Sequence, residues 1–195
     1  MTNNRNNHEI DYKIYGEEMQ FVEIELDYQE TAIAESGSMM MMDDGVQMQT
    51  IFGDGSAQQP AGFLGKLISA GKRVITGESL FMTAFTNEVQ GKKKVSFAAP
   101  YTGKIIPMDL QELGGTIIAQ KDAFLCAAKG VSVGIHFQRK LGVGIFGGEG
   151  FIMQKLEGDG MAFLHAGGYI VERNLNPGEV LKIDTGCVVA YSPSV

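Results

Sequence analysis

The residues best able to do chemistry in this chain are three histidines, and their spacing does not suggest a metal site. His8, His136 and His165 are far apart. None belongs to a His-x-His or His-x-x-x-His pair, the spacing that brings two imidazoles to one metal ion. A centre made from His136, His165 and Glu149 would require the fold to bring these residues together. We therefore predict no metal and no cofactor, and we assign no catalytic residue.

Two other stretches contain residue types that often serve catalysis or cofactor binding. Residues 142–147, GVGIFG, match the pattern G-x-G-x-x-G. A dinucleotide site needs a helix next, but the following residues read as another strand and turn, so we interpret the stretch as a glycine-rich β connection. Cys126 and Cys187 each lie in an apolar run, which predicts two reduced, buried thiols rather than a disulfide or a metal pair.

Composition and charge describe a soluble globular protein. The chain has 195 residues, a hydrophobic fraction of 44% and a formal net charge of -7. Nucleic-acid binding depends on clustered Lys and Arg, and the one basic run, residues 92–94, is better explained as a solvated hairpin tip. We therefore predict no nucleic-acid partner.

The sequence shows no targeting signal. The first residues, MTNNRNNHEID, contain no apolar stretch for a signal peptide, and no window approaches the roughly 18 apolar residues of a membrane span. We expect a cytoplasmic protein without a transmembrane segment. Peripheral contact with a membrane remains open.

Internal repeats give the clearest information on organisation. Residues 26–42, LDYQETAIAESGSMMMM, align without a gap with residues 175–191, LNPGEVLKIDTGCVVAY, and residues 115–128 form a weaker middle copy. A second block, residues 95–110, resembles residues 161–175 once Tyr101 is treated as an insertion. We predict a first β unit at 1–59, an insertion at 60–76, a second unit at 77–141 and a third at 142–195.

The period within these blocks is two. In FVEIELD, Val22, Ile24 and Leu26 alternate with acidic residues, as expected for a half-buried antiparallel strand. Short strands separated by glycine turns predict an all-β sandwich or barrel. The only helical candidate is a short segment near 61–70, within the insertion.

The run of four methionines, Met39–Met42, falls on the strand that reads FLCAA and CVVAY in the other copies. Methionine fills irregular cores and also lines adaptable binding surfaces. Because the aligned strands are apolar on both faces, we predict that at least half of the run is core and that the rest meets another unit or subunit. Gly37 and Gly186 align just before these strands, so we predict a left-handed turn at both.

At these blocks the chain resembles the family of the altered inheritance of mitochondria protein twenty-four. The matching stretches include AESGSMMMM, GESLFMTAF and NPGEVLKIDTGCVVAY, and they cover nearly the whole chain. The resemblance implies antiparallel β-sandwich or double-stranded β-helix units repeated with pseudo-threefold symmetry, in the fold group of the tryptophan RNA-binding attenuator protein. It implies no catalytic residue. Relative to the family, the third unit looks incomplete.

Two functions are consistent with the sequence. The first is a non-enzymatic, homo-oligomeric scaffold or interaction protein whose units join through apolar strands, with other protein partners not identified. The alternative is a small-molecule-binding protein or enzyme that uses a cavity within a β unit, with His136 or His165 as its polar group.

Overall fold

The described part of the chain is built from antiparallel strands. A computed structural model describes residues 6–52, 81–139 and 151–195. In these ranges the helical elements are two 3-10 turns, Lys121–Ala123 and Thr185–Cys187. The predicted all-β class is confirmed. The expected short helix near 61–70, and the whole insertion at 60–76 that contains it, lie outside the described residues.

The strands form three sheets. The first sheet has the order β1-β2-β7-β4 and contains Asp11–Tyr15 (β1), Phe21–Leu26 (β2), Lys93–Ala98 (β7) and Met39–Met42 (β4). The second has the order β5-β6-β3-β10-β13-β8 and contains Val46–Phe52 (β5), Phe81–Asn87 (β6), Thr31–Glu35 (β3), Phe124–Ala128 (β10), Met161–Ala166 (β13) and Lys104–Asp109 (β8). The third has the order β11-β12-β9-β14 and contains Ser132–Arg139 (β11), Phe151–Glu157 (β12), Thr116–Gln120 (β9) and Ala190–Tyr191 (β14).

The second sheet is the middle layer, and its central strands β3, β10 and β13 are buried on both faces. On β3, Ala32 and Ala34 pack into one core cluster with Phe97 of the first sheet. Ile33, between them in sequence, packs into a second cluster with Leu156 of the third sheet. Successive strand residues point to opposite faces, so one strand serves both cores. Burial of such side chains, at about 1.5–3 kcal/mol each, is the main force that holds the layers together.

The alternation predicted for the first sheet is observed. Val22, Ile24 and Leu26 on β2 are fully buried. Glu23, on the opposite face, forms an ion pair with Lys94 of β7 at 2.7 Å. The hydrophobic period therefore fixes which face of this sheet meets the core.

Strand pairing defines two six-stranded modules. Module 1 comprises β2 to β7, and module 2 comprises β8 to β13. The pairings β2·β7, β3·β6, β5·β6 and β4·β7 in module 1 correspond to β8·β13, β9·β12, β11·β12 and β10·β13 in module 2. We propose this division in place of the units 1–59, 77–141 and 142–195, because β5 and β6 pair across the segment at 60–76.

Two further pairings join neighbouring modules. The second strand of module 1, β3, pairs with the third strand of module 2, β10. The second strand of module 2, β9, pairs with β14 in the same way. Strand β14 is therefore the third strand of a third module. Residues 167–189, which precede it, form no strand. The aligned copies 26–42 and 175–191 thus share a tight turn followed by a strand, but only the first copy has full sheet pairing.

Candidate functional site

The four methionines form the edge of the first sheet. Within the described chain, β4 pairs with β7 alone. Met39 packs against the core, whereas Met40, Met41 and Met42 are 46%, 47% and 40% exposed. The prediction that at least half of the run is core is therefore wrong for this chain by itself. Three adjacent, exposed methionines on a strand edge form an apolar surface, and the backbone groups on its outer side pair with no strand of the described ranges, so the edge is a template for pairing with another strand.

The counterpart of β4 shows why the prediction failed. In β10 the stretch FLCAA occupies the same place in its module, and both strands have a register shift at their second residue. All five residues of β10 are buried, because β10 lies between β13 and β3. Among the described residues, strand β4 has the equivalent of β13, which is β7, but no equivalent of β3. The absence of this neighbour, rather than residue type, exposes the methionines.

Gly37 and Gly186 differ in backbone conformation. Gly37 has a φ of 91°, in the left-handed region. Gly186 has no positive φ and lies inside the 3-10 turn Thr185–Cys187, where its amide donates to the Asp184 side chain at 3.0 Å. The left-handed turn predicted at Gly186 is therefore wrong. Asp122, in the 3-10 turn of module 2, is the structural counterpart of Gly186, since each donates its amide to the side chain of the residue that precedes its turn.

A cleft lies beside the β4 edge, where modules 1 and 2 meet. Its volume is about 430 Å³. Four parts of the chain line it: the turn from Glu35 to Ser38 that leads into β4, the connection around Tyr101 between the modules, the start of β10, and His165 on β13. The cleft therefore lies between two modules. The alternative function considered from the sequence placed a cavity within one β unit instead.

His165 is the unusual side chain of this cleft. It is 2% exposed, and neither Nδ1 nor Nε2 has a hydrogen-bond partner among the described residues. Burial lowers the pKa of the imidazole, which is therefore neutral at pH 7. The Tyr101 ring packs against it edge to face, with centroids 4.7 Å apart. A buried polar group without a partner is costly, so its presence at a cleft wall requires an explanation.

Two carboxylates and a tyrosine complete the polar wall. Burial raises the pKa of Glu35, with through-space effects of Lys121 and Asp122 that oppose each other. Burial, and then the charges of Asp122 and Glu35, raise the pKa of Tyr101. Both carboxylates thus lie close enough to the Tyr101 phenol to raise its pKa. The phenol hydroxyl donates a hydrogen bond to the Asp122 backbone carbonyl oxygen at 3.2 Å.

The sequence offered one indication of this site. Tyr101 is the residue that had to be treated as an insertion when the two copies of its block were aligned, and it is the residue that packs on His165. Nothing in the local sequence marked Glu35 or Asp122, because the fold brings them together from the end of β3 and from the 3-10 turn before β10.

The two histidines of the conceivable metal centre lie in different sheets, His165 on β13 of the second sheet and His136 on β11 of the third. His136 is exposed on β11, in the third sheet, and Glu149 lies outside the described residues. No group of three or more His, Cys, Asp or Glu side chains able to hold a metal occurs in the described ranges. Cys126 is a buried free thiol, as predicted, but Cys187 is exposed, so that prediction is wrong. Residues 142–147 are not described.

The basic run is neutralised by carboxylates of the first sheet. Lys92 lies 3.4 Å from Asp11, and Lys94 lies 2.7 Å from Glu23. Both lysines are exposed and surrounded by acidic side chains, which is unfavourable for phosphate contact.

Comparison of the sequence and fold with known proteins identifies a family and a similar solved structure. The model of the AIM24 family, described as mitochondrial biogenesis AIM24, matches residues 12–195. The chain belongs to the AIM24 family. Its fold resembles the crystal structure of protein SPYM3_0169 from Streptococcus pyogenes, with a TM-score of 0.58, 21% sequence identity and 82% of this chain covered. This chain spans 65% of the length of that protein, and at this identity the likeness concerns the fold alone. No curated protein matches the chain.

A search of the described residues for membrane-crossing helices finds none.

Proposed function

We propose that this AIM24-family protein is a non-enzymatic scaffold or interaction protein that assembles with itself through the β4 edge. The observation that supports this best is the edge strand itself, with three exposed methionines where its counterpart β10 is fully buried. Met40, Met41 and Met42 together expose the equivalent of about one and a third methionine residues. Their complete burial would contribute about 2–4 kcal/mol to an interface.

The module pattern suggests the strand that covers this edge. Inside the fold, the third strand of a module pairs with the second strand of the preceding module. The second strand of the third module corresponds to residues 180–184, directly before the turn at Thr185–Cys187. These residues are exposed and pair with no strand of the described chain, with Val180 at 81%, Leu181 at 41% and Ile183 at 53%. We infer that residues 180–184 of a second copy pair with β4.

Solution mass tests the proposal. Light scattering after size-exclusion chromatography, over about a hundredfold range of protein concentration, should show an oligomer that dissociates on dilution. The double variant Met40→Lys/Met42→Lys should weaken association by at least about 30-fold, since charge on an edge opposes strand pairing. Met19→Lys places the same charge on a methionine that is 58% exposed outside β4, and it should associate like the parent.

A monomer at every concentration would contradict the proposal. Equally weakened association in the Met19→Lys control and in the double variant would also contradict it, because it would show that added charge weakens association wherever it is placed. The cytoplasmic location and the fold-group assignment stay predictions.

A further inference from the structure

The cleft between the modules contains a polar group that the fold leaves without a partner. His165 is buried on β13, where it pairs in register with Ile105, and both ring nitrogens are unpartnered among the described residues. Gly103 lies against this ring, since a Cβ there would stand 2.6 Å from the Cε1 and Nε2 atoms of His165 and even closer to the Ala166 carbonyl oxygen. The backbone thus makes room for an imidazole that contributes no hydrogen bond to the fold.

The charge of the cleft indicates the class of ligand. Glu35 and Asp122 are the charged residues of its wall, and no Lys or Arg of the described chain lines it. Lys121, which does not line the cleft, acts on Glu35 through space. A neutral imidazole offers one nitrogen as a hydrogen-bond acceptor. An anion would meet two carboxylates, whereas an ammonium group would find both an opposite charge and an acceptor.

We propose that this cleft binds a small primary amine whose ammonium group pairs with the Glu35 carboxylate and donates a hydrogen bond to His165. The short alkyl body of the ligand lies on the apolar wall formed by Ala98, Ala99 and Leu125. The site is separate from the β4 surface that mediates assembly, and binding does not require a second copy of the chain.

Tyr101 controls access to the imidazole. Its ring packs on His165, and its hydroxyl donates a hydrogen bond to the Asp122 carbonyl oxygen. In this conformation Nδ1 and Nε2 of His165 are not accessible to water. Tyr101 is itself 46% exposed and lies in the connection between the modules. The ligand therefore displaces the phenol ring and takes its place beside the imidazole.

Three probes of equal length isolate the charge of the ligand: 1-butylamine, 1-butanol and butyrate. The titrations use the intact chain near neutral pH and follow the imidazole signals of His165 by nitrogen-correlated NMR. Butylamine should shift these signals saturably and bind at least about tenfold more tightly than butanol. Butyrate should produce no saturable shift.

Two variants assign the contacts. Glu35→Gln keeps the shape of the side chain but removes its charge, and it should abolish the preference for the amine over the alcohol. Glu88→Gln, at an exposed glutamate outside the cleft, should bind butylamine like the parent. Equal affinity for amine and alcohol in the parent, or an unchanged preference in Glu35→Gln, would overturn the proposal.

Discussion

Replacing His165 by leucine should stabilise the protein. The imidazole is 2% exposed and its two nitrogens have no partner among the described residues, and a buried polar side chain in this state costs about 1–3 kcal/mol. Leucine has a similar volume and no polar atom, so the substitution removes this cost. Imperfect packing of the leucine should offset less than about 1.5 kcal/mol of the stabilisation. We expect His165→Leu to raise the free energy of unfolding by about 1–2 kcal/mol. For a chain of this size, that raises the melting temperature by about 2–8 °C.

The pH dependence gives an independent measurement of the same residue. The folded-state pKa of His165 is lowered by burial, so the unfolded chain takes up a proton first as the pH falls. Stability is therefore retained above the unfolded pKa of about 6.5 and is lost as the pH decreases below it. The charged groups of the cleft, Glu35 and Asp122, favour protonation of the ring and limit this loss without reversing it. His165→Leu should reduce the slope between about pH 7.5 and pH 5.5.

Part of the slope should persist in this variant. His8 also has a lowered pKa, from burial and then from Lys129, and its Nδ1 accepts the Thr31 amide at 3.0 Å. Urea unfolding at several pH values measures both effects. The control is His136→Leu, at an exposed position on β11, which should change stability little. A loss of more than about 1 kcal/mol in His165→Leu, with an unchanged pH slope, would refute the argument, because it would show that the imidazole is satisfied in the fold.

Three further substitutions test local features by thermal unfolding. Gly37→Ala should cost about 1 kcal/mol because its φ is positive, whereas Gly186→Ala should be neutral; equal effects would show that the two turns do not differ. Gly103→Ala should cost about 1–3 kcal/mol because a Cβ would overlap a buried ring, while Gly134→Ala, with open space, should cost little; a silent Gly103 variant would disprove the close approach. Asn87→Ala should cost about 2–4 kcal/mol, since this fully buried amide donates to two backbone carbonyls and accepts one backbone amide; a loss below about 1 kcal/mol would contradict that network.

Local sequence patterns predicted the class of the fold because strand alternation is a local property. Val22, Ile24 and Leu26 alternate with acids, and they are buried as that pattern requires. The same method failed for Met40 to Met42. Their environment depends on which strand lies beside β4, and residues far away in sequence decide that.

The site was harder to predict for the same reason. MAFLHA reads as a buried strand, and His165 is indeed buried within it. What makes it a candidate site is the convergence of Glu35 and Tyr101 from module 1 and the connection, and this is a tertiary property. Repeat alignment found the blocks but not the modules, because the pairing of β5 with β6 crosses the segment at 60–76.

Photo-crosslinking between two isotopically distinct copies tests the central claim most directly. One copy contains photo-methionine, the other is labelled with nitrogen-15, and the mixture is irradiated and analysed by mass spectrometry. Assembly through β4 predicts crosslinks from Met40, Met41 or Met42 of the light copy to residues 180–184 of the heavy copy. If these methionines form crosslinks only to residues of their own copy, and none to the heavy copy, assembly through β4 is contradicted.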